Sequence, residues 1–152
     1  MSSPSLDDLP TALSGHVGYL LVRLGKHAQR IFTLEIETLG LRPPHCDILL
    51  TLADRGAMSQ VDIAGTLRIE RAHLVGLIDQ LEGPGLVVRA ADPNDRRRHA
   101  VTLTERGVGV ATQVAALAQK VERDLLADLS AAEVQGLRAL LRRLAKDADE
   151  GD

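Results

Sequence analysis

Apolar residues recur at helical spacing along most of the chain. From Gly15 to about Leu39, the residues Val17, Leu20, Leu21, Leu24, Ala28, Ile31, Phe32 and Leu34 fall three and four apart and cover more than one stripe. That pattern predicts a long helix that packs on two sides, and Gly40 is placed to end it. Pro43-Pro44 opens a second helix, because proline is tolerated in a first turn. Ile48, Leu49, Leu50 and Leu52 carry that helix to about Asp54, and Arg55-Gly56 closes it. Ser59, with Asp62 three residues on, caps a short third helix over residues 60–66. In the fourth, over Arg71–Glu82, Leu74, Leu77, Ile78 and Leu81 form one apolar stripe at i, i+3, i+4 and i+7. Its opposite face centres on Ala72, Gly76 and Asp79, flanked by His73, Val75 and Gln80. Small residues there let the helix axis come close to another surface. Gly83-Pro84-Gly85 stops the helix.

The pattern then shortens. Leu86-Val87-Val88 and Val101-Thr102-Leu103 flank the stretch Asp92-Pro93-Asn94-Asp95-Arg96-Arg97-Arg98-His99. Turn formers between β-branched segments predict a hairpin with a basic tip. A lone two-stranded ribbon is marginal in water, so it must lean on the helices before it. Thr104 caps a fifth helix, lined by Val110, Ala111, Val114, Leu117, Ala118, Val121, Leu125 and Leu126 and running to about Leu129. Ser130-Ala131-Ala132-Glu133 is a capping box that opens a sixth, with Val134, Leu137, Leu140, Leu141 and Leu144 on its apolar face. Residues 1–12 have no period and read as a flexible arm, and 148–152 as a flexible acidic tail.

This order predicts a mainly α protein with a small β-hairpin: a winged helix-turn-helix over residues 41–103, between terminal helices at 13–40 and 104–147. The terminal helices are apolar and have too few partners within one chain. They are expected to bury each other in a homodimer.

Composition changes the picture in three places. Of the 152 residues 45% are hydrophobic, yet Tyr19 and Phe32 are the sole aromatics, so the core is aliphatic. The formal net charge of −3 argues weakly against a nucleic-acid partner. From Arg55 to Gly107, however, basic residues outnumber acidic ones eight to seven, and the excess sits in the hairpin, as a local anion-binding surface requires. A single cysteine, Cys46, excludes an internal disulfide. With no signal-peptide pattern and no apolar run near the ~20 residues that span a bilayer, the expected location is the cytoplasm, with no membrane partner.

Three blocks carry a family resemblance: Leu81-Glu82-(x)2-Gly85-Leu86-Val87-(x)-Arg89, then Asp92-Pro93-(x)-Asp95-Arg96-Arg97, then Leu103-Thr104-Glu105-(x)-Gly107. In this order, inside this succession of elements, they resemble the MarR family of bacterial transcriptional regulators over roughly residues 15–147. The resemblance implies a homodimer joined through the first, fifth and sixth helices. It implies a fourth helix in a major groove, a wing in the neighbouring minor groove, and control by a small lipophilic or aromatic anion or by thiol oxidation. The chain departs from the family pattern at Val75, where threonine is frequent, at Gly76 and Gln80, where arginine is, and at Glu70, where aspartate or serine is usual. Few side chains are left on the fourth helix to read DNA.

Candidate DNA-binding residues follow from this frame. Arg96, Arg97 and Arg98 suit a narrow minor groove, since a weakly hydrated guanidinium follows its negative potential. Asp92 and Asp95 would brace the wing, and Arg89 adds positive charge. Arg71 can pair with a guanine edge and Ala72 can touch a thymine methyl. His73, Val75 and Gly76 complete the face, and Ser59 and Gln60, at a helix start, suit a phosphate. Tyr19, Arg23 and His45 are candidates to hold an anionic effector in an aliphatic cavity. No metal site is expected: His16 and His27 stand eleven residues, about 16 Å, apart along one helix. No catalytic constellation or cofactor motif occurs. Cys46 is expected to be a buried, inert thiol, because the resemblance places reactive cysteines in the first helix. The function expected is a repressor on a pseudo-palindromic operator, released by a small ligand. The alternatives are a winged-helix scaffold for protein partners and a thiol-responsive regulator acting through Cys46.

Overall fold

Each expected helix forms where its punctuation placed it, to within a few residues, and one extra turn of helix precedes them. The computed structural model describes residues 9–91 and 99–149. In chain order the elements are α1 (Thr11–Ser14), α2 (Val17–Glu37), α3 (Pro43–Arg55), α4 (Gln60–Leu67), α5 (Arg71–Glu82), β1 (Val87–Ala91), β2 (His99–Leu103), α6 (Glu105–Leu125) and α7 (Ala131–Asp149). The protein is mostly helical with a two-stranded antiparallel hairpin.

Two boundaries differ from expectation. The first long helix does not begin at Gly15: Pro10 starts a separate turn, closed by Ser14 and Gly15 N–H bonds to the Pro10 and Thr11 carbonyls. His16 is extended (φ −102°, ψ 120°), so the chain redirects before α2. Thr11 and Ala12, assigned to the arm, lie in α1. The fifth helix stops at Leu125 rather than Leu129, and a tight turn with Leu129 N–H bonded to the Leu126 carbonyl delivers Ser130 to its cap.

The core lies under the middle of the chain. Ile48, Leu49 and Leu52 of α3, Ile63 of α4, Leu74, Leu77, Ile78 and Leu81 of α5, and Val87 and Val101 of the hairpin are buried together. Ile36 closes the cluster from α2, and Ala111 and Val114 from α6. The strands pair from Val87 with Leu103 to Ala91 with His99. A further bridge, Met58 to Val101, adds a short third edge to the hairpin. No single-residue bridge has a periodicity by which to predict it.

Two glycines attach the hairpin. Gly85 adopts φ +74°, a conformation in which other residues are strained, and this lets Leu86 N–H close on the Leu81 carbonyl behind α5. Gly107 packs its bare Cα against Leu86, the residue before β1, where a Cβ would fall 1.9 Å from the carbonyl oxygen. Thr104 locks the junction, donating its hydroxyl to the Gly85 carbonyl at 2.6 Å and accepting the Gly107 N–H at 3.0 Å.

The terminal helices are different. Ile36 alone is buried in α2, and α7 has no buried residue among those whose exposure is described. An ion pair joins Lys120 of α6 to Glu35 of α2, and another joins Arg138 of α7 to Glu122 of α6.

Candidate nucleic-acid interface

The helix-turn-helix is made by α4 and α5. Ser59 caps α4, its hydroxyl oxygen accepting the Asp62 N–H at 3.1 Å while its hydrogen goes to Asp62 Oδ2 at 2.6 Å. The hydroxyl proposed for a phosphate contact is therefore occupied as a cap, beside a carboxylate. The neighbouring Gln60 buries its side-chain carbonyl without a partner. A turn through Arg68, which takes a left-handed conformation (φ 52°), leads to α5.

In α5 the apolar stripe is buried as expected, and Arg71, Ala72, His73 and Val75 are exposed on the far side. Gly76 sits among them, and a Cβ there would meet nothing within 4 Å. No side chain caps α5 at Glu70, so its first-turn N–H groups have no partner from the cap residue's side chain. The arrangement is a shallow, open ridge that a duplex can approach closely.

Polar clusters hold the ridge at both flanks. On one side Arg89 of β1 bonds Asp79 Oδ1 at 2.7 Å through Nη2 and Glu82 through Nη1, and its backbone N–H donates to Glu82 Oε1 at 3.0 Å. Burial opposes the charge there, and the two carboxylates more than offset it, raising the pKa above the ordinary arginine value. Arg89 was expected to face DNA. Its charge is instead met by α5, and it ties the wing to the recognition helix. On the other side Gln80 Oε1 accepts from His45 Nε2 at 2.9 Å and from the Arg42 guanidinium, which ties α5 to the start of α3. Asp92, Asp95, Arg96, Arg97 and Arg98 lie outside the described residues.

A family model described as the MarR family matches residues 41–99. A curated relative from Thauera aromatica, named as a transcriptional regulatory protein for the hcr operon, is 32% identical over 140 residues, which is 91% of this chain and 84% of that protein. The chain belongs to the MarR family. Solved structures agree across nearly the whole length. CouR of Rhodococcus jostii RHA1, bound to p-coumaroyl-CoA, is 29% identical with a TM-score of 0.74, covering 94% of this chain and 96% of CouR. BpsR of Bordetella bronchiseptica, whose DNA binding is regulated by 6-hydroxynicotinic acid, is 30% identical with a TM-score of 0.72, covering 90% and 98%. A mutant of MarR from E. coli complexed with operator DNA is 25% identical with a TM-score of 0.72, covering 84% and 92%. The protein is thus a DNA-binding transcriptional regulator of MarR type with a winged-helix fold.

Within this MarR-family chain the expected effector group is not gathered in one place. Tyr19 and Arg23 are one turn apart near the start of α2. His45 follows the turn in which Leu41 N–H bonds the Ile36 carbonyl at the far end of α2. Tyr19 and Ile36 are separated by about 25 Å of helix at 1.5 Å per residue. The His45 ring is also committed: Nδ1 accepts the Arg42 backbone N–H at 3.2 Å, and Nε2 meets Gln80. Burial is the main cause of its lowered pKa. Cys46 is buried, and burial pushes its thiol up to about 11 with Asp47 adding. Thiolate is therefore scarce at neutral pH, and the geometry offers no support for a thiol-responsive role. Among the described residues no cluster of His, Cys, Asp and Glu can hold a metal ion, and no helix is long and apolar enough to cross a membrane.

Proposed function

We propose that the protein is a homodimeric repressor that binds a pseudo-palindromic operator and is released by a small aromatic or lipophilic anion. The observation that carries the DNA reading is α5: a fully buried apolar stripe behind an outward face of Arg71, Ala72, His73, Val75 and Gly76. That face enters the major groove. Arg71 pairs with a guanine edge, worth about 1–3 kcal/mol of discrimination, and the wing arginines Arg96, Arg97 and Arg98 enter the adjacent minor groove. The reading as a dimer rests on the unburied apolar faces of α2 and α7, and a symmetric dimer spans half-sites about one helical turn apart. The effector class rests on CouR and BpsR, whose named ligands each join an aromatic ring to an anionic group. Tyr19 and Arg23, with the neighbouring faces of α3 and α6, are its proposed contacts. The ligand acts by favouring a dimer spacing that does not match the operator, for which a differential affinity of a few kcal/mol is enough.

Binding to a duplex carrying the region upstream of its own gene, titrated with salt, tests this. Affinity falls steeply with salt for a protein that neutralises phosphates. Arg96→Ala with Arg97→Ala removes most of it, and Arg71→Ala lowers preference for that duplex over an unrelated one. Binding that is indifferent to salt and to all three changes returns the protein to the class of protein-interaction scaffolds. An aromatic acid that raises the melting midpoint of the free protein and weakens its hold on DNA identifies the effector class.

A further inference from the structure

We propose that Gln80 and Arg42 form a clamp for a DNA backbone phosphate at the rim of the groove, with His45 as the residue that positions it. The proposal rests on reading α5 as the helix that enters the groove, and it begins with the His45 tautomer. Nδ1 accepts the backbone N–H of Arg42, so in the neutral ring the hydrogen is on Nε2. That Nε2–H and the Arg42 guanidinium both point at one side-chain atom of Gln80. Since both neighbours are donors, the atom between them is the carbonyl oxygen, and its acceptor capacity is filled. The amide nitrogen of Gln80 keeps two hydrogens and no acceptor role, on an exposed side chain. Glutamine commonly reads adenine by donating and accepting at once. Gln80 cannot, because its acceptor is spent inside the protein. It suits a partner that only accepts.

Arg42 points to the same partner. It is exposed, it spends part of its guanidinium on Gln80, and no carboxylate pairs with it among the described residues. The two side chains therefore present hydrogens and a positive charge together, which is the chemistry of a phosphate oxygen. Position excludes a base edge. Gln80 is nine residues beyond Arg71, about 13.5 Å along the helix, while the N-terminal end of a recognition helix is the part that reaches bases in a groove about 8.5 Å deep. The phosphates run along the rim, and docking α5 by its N-terminal end would bring Gln80 toward it. Gly76, one turn earlier on the same flank, leaves open space beside it.

The test uses the full chain and fluorescence anisotropy with two duplexes, the region upstream of its own gene and an unrelated one of equal length, from about 50 to 200 mM salt. Gln80→Glu keeps an oxygen for His45 and Arg42 but replaces the donors with a negative charge. It should weaken both duplexes by the same factor, about tenfold or more, with the melting midpoint retained. Arg42→Gln should weaken both and reduce the slope of log affinity against log salt by about 0.9. The clamp is overturned if both variants bind within twofold of the parent, or if Gln80→Glu loses only the upstream duplex, which would make Gln80 a base reader. A parent protein that binds neither duplex in a salt-dependent way overturns the groove reading itself.

Discussion

Helices α5 and α7 carry the same kind of apolar stripe and treat it in opposite ways. In α5, Leu74, Leu77, Ile78 and Leu81 are each at most 2% exposed. In α7, Leu140, Leu141 and Leu144 are 51%, 41% and 55% exposed. The difference is one of neighbours, not of pattern. α5 is surrounded by α3, α4 and the hairpin, all within fifty residues of it. α7 comes last and meets α6 at its start. An open groove of about 620 Å³ lies between the end of α6 and the start of α7, lined by Leu126, Leu129 and Val134 among others. The winged middle of the chain buries its stripe within the same chain, with Ile36 of α2 and Ala111 and Val114 of α6 completing the core, whereas the stripe of α7 is left for the proposed dimer to cover. A hydrophobic period therefore says that a face will be covered and does not say by which chain.

The largest effect expected from this contrast is on α7. Leu140→Arg with Leu144→Arg removes four leucines, two from each chain, from the proposed dimer seam. Fully burying a leucine is worth about 1.5–3 kcal/mol, and with each of the four about half exposed in the single chain their loss costs roughly 3–6 kcal/mol of association. Sedimentation at micromolar protein should find monomer, with the helix content of the middle unchanged. A variant that remains dimeric would place the seam elsewhere.

The matching change in α5 should do the reverse. Leu77→Ala leaves a cavity beneath the recognition helix, at a cost of about 2–5 kcal/mol of folding stability. A lower urea midpoint with the slope preserved is the expected result. Protein concentration must be held fixed, since the proposed dimer makes stability depend on it. If Leu77→Ala costs less than the α7 pair costs folding, the division into a self-sufficient middle and dependent ends is wrong.

What could be read from sequence follows the range of the interaction. Helix ends were readable because caps act locally: Ser59, Thr104 and the Ser130–Glu133 pair each bond within three residues. The stripe of α5 was readable because burial imposes a period. Polar pairing was not. Arg89 looked like a cation for DNA, since alternation in a strand does not say whether Asp79 and Glu82, ten and seven residues earlier, will claim its charge. Gln80 looked like a weak substitute for arginine, since nothing in its neighbourhood announces His45 and Arg42, 35 and 38 residues before it. The flanks of the recognition helix are thus set by contacts without sequence periodicity, while its buried side is set by one that is plain.

The smallest effect comes from protons, and it separates middle from ends without removing a side chain from either core. Burial holds the His45 pKa below its ordinary value near 6.5, with the bond to Gln80 opposing and the Arg42 charge assisting. The unfolded chain thus takes up a proton at a pH where the folded chain still refuses it. Stability is whole above the ordinary histidine value and is lost as pH falls through the folded one. Protonated His45 would carry hydrogen on Nδ1 against the Arg42 N–H that this atom now accepts, so α3 would lose its N-terminal cap, while Nε2–H would still donate to Gln80. His45→Gln can keep both bonds without titrating, since glutamine three residues after a cap reaches back to its N–H. The parent should lose melting temperature between pH 7.5 and 5 by more than His45→Gln does, while the two dissociate into monomers alike across that range. Equal losses of melting temperature would mean that acid acts on other groups, and a larger change in dimerisation for the parent would mean that His45 belongs to the ends and not to the middle.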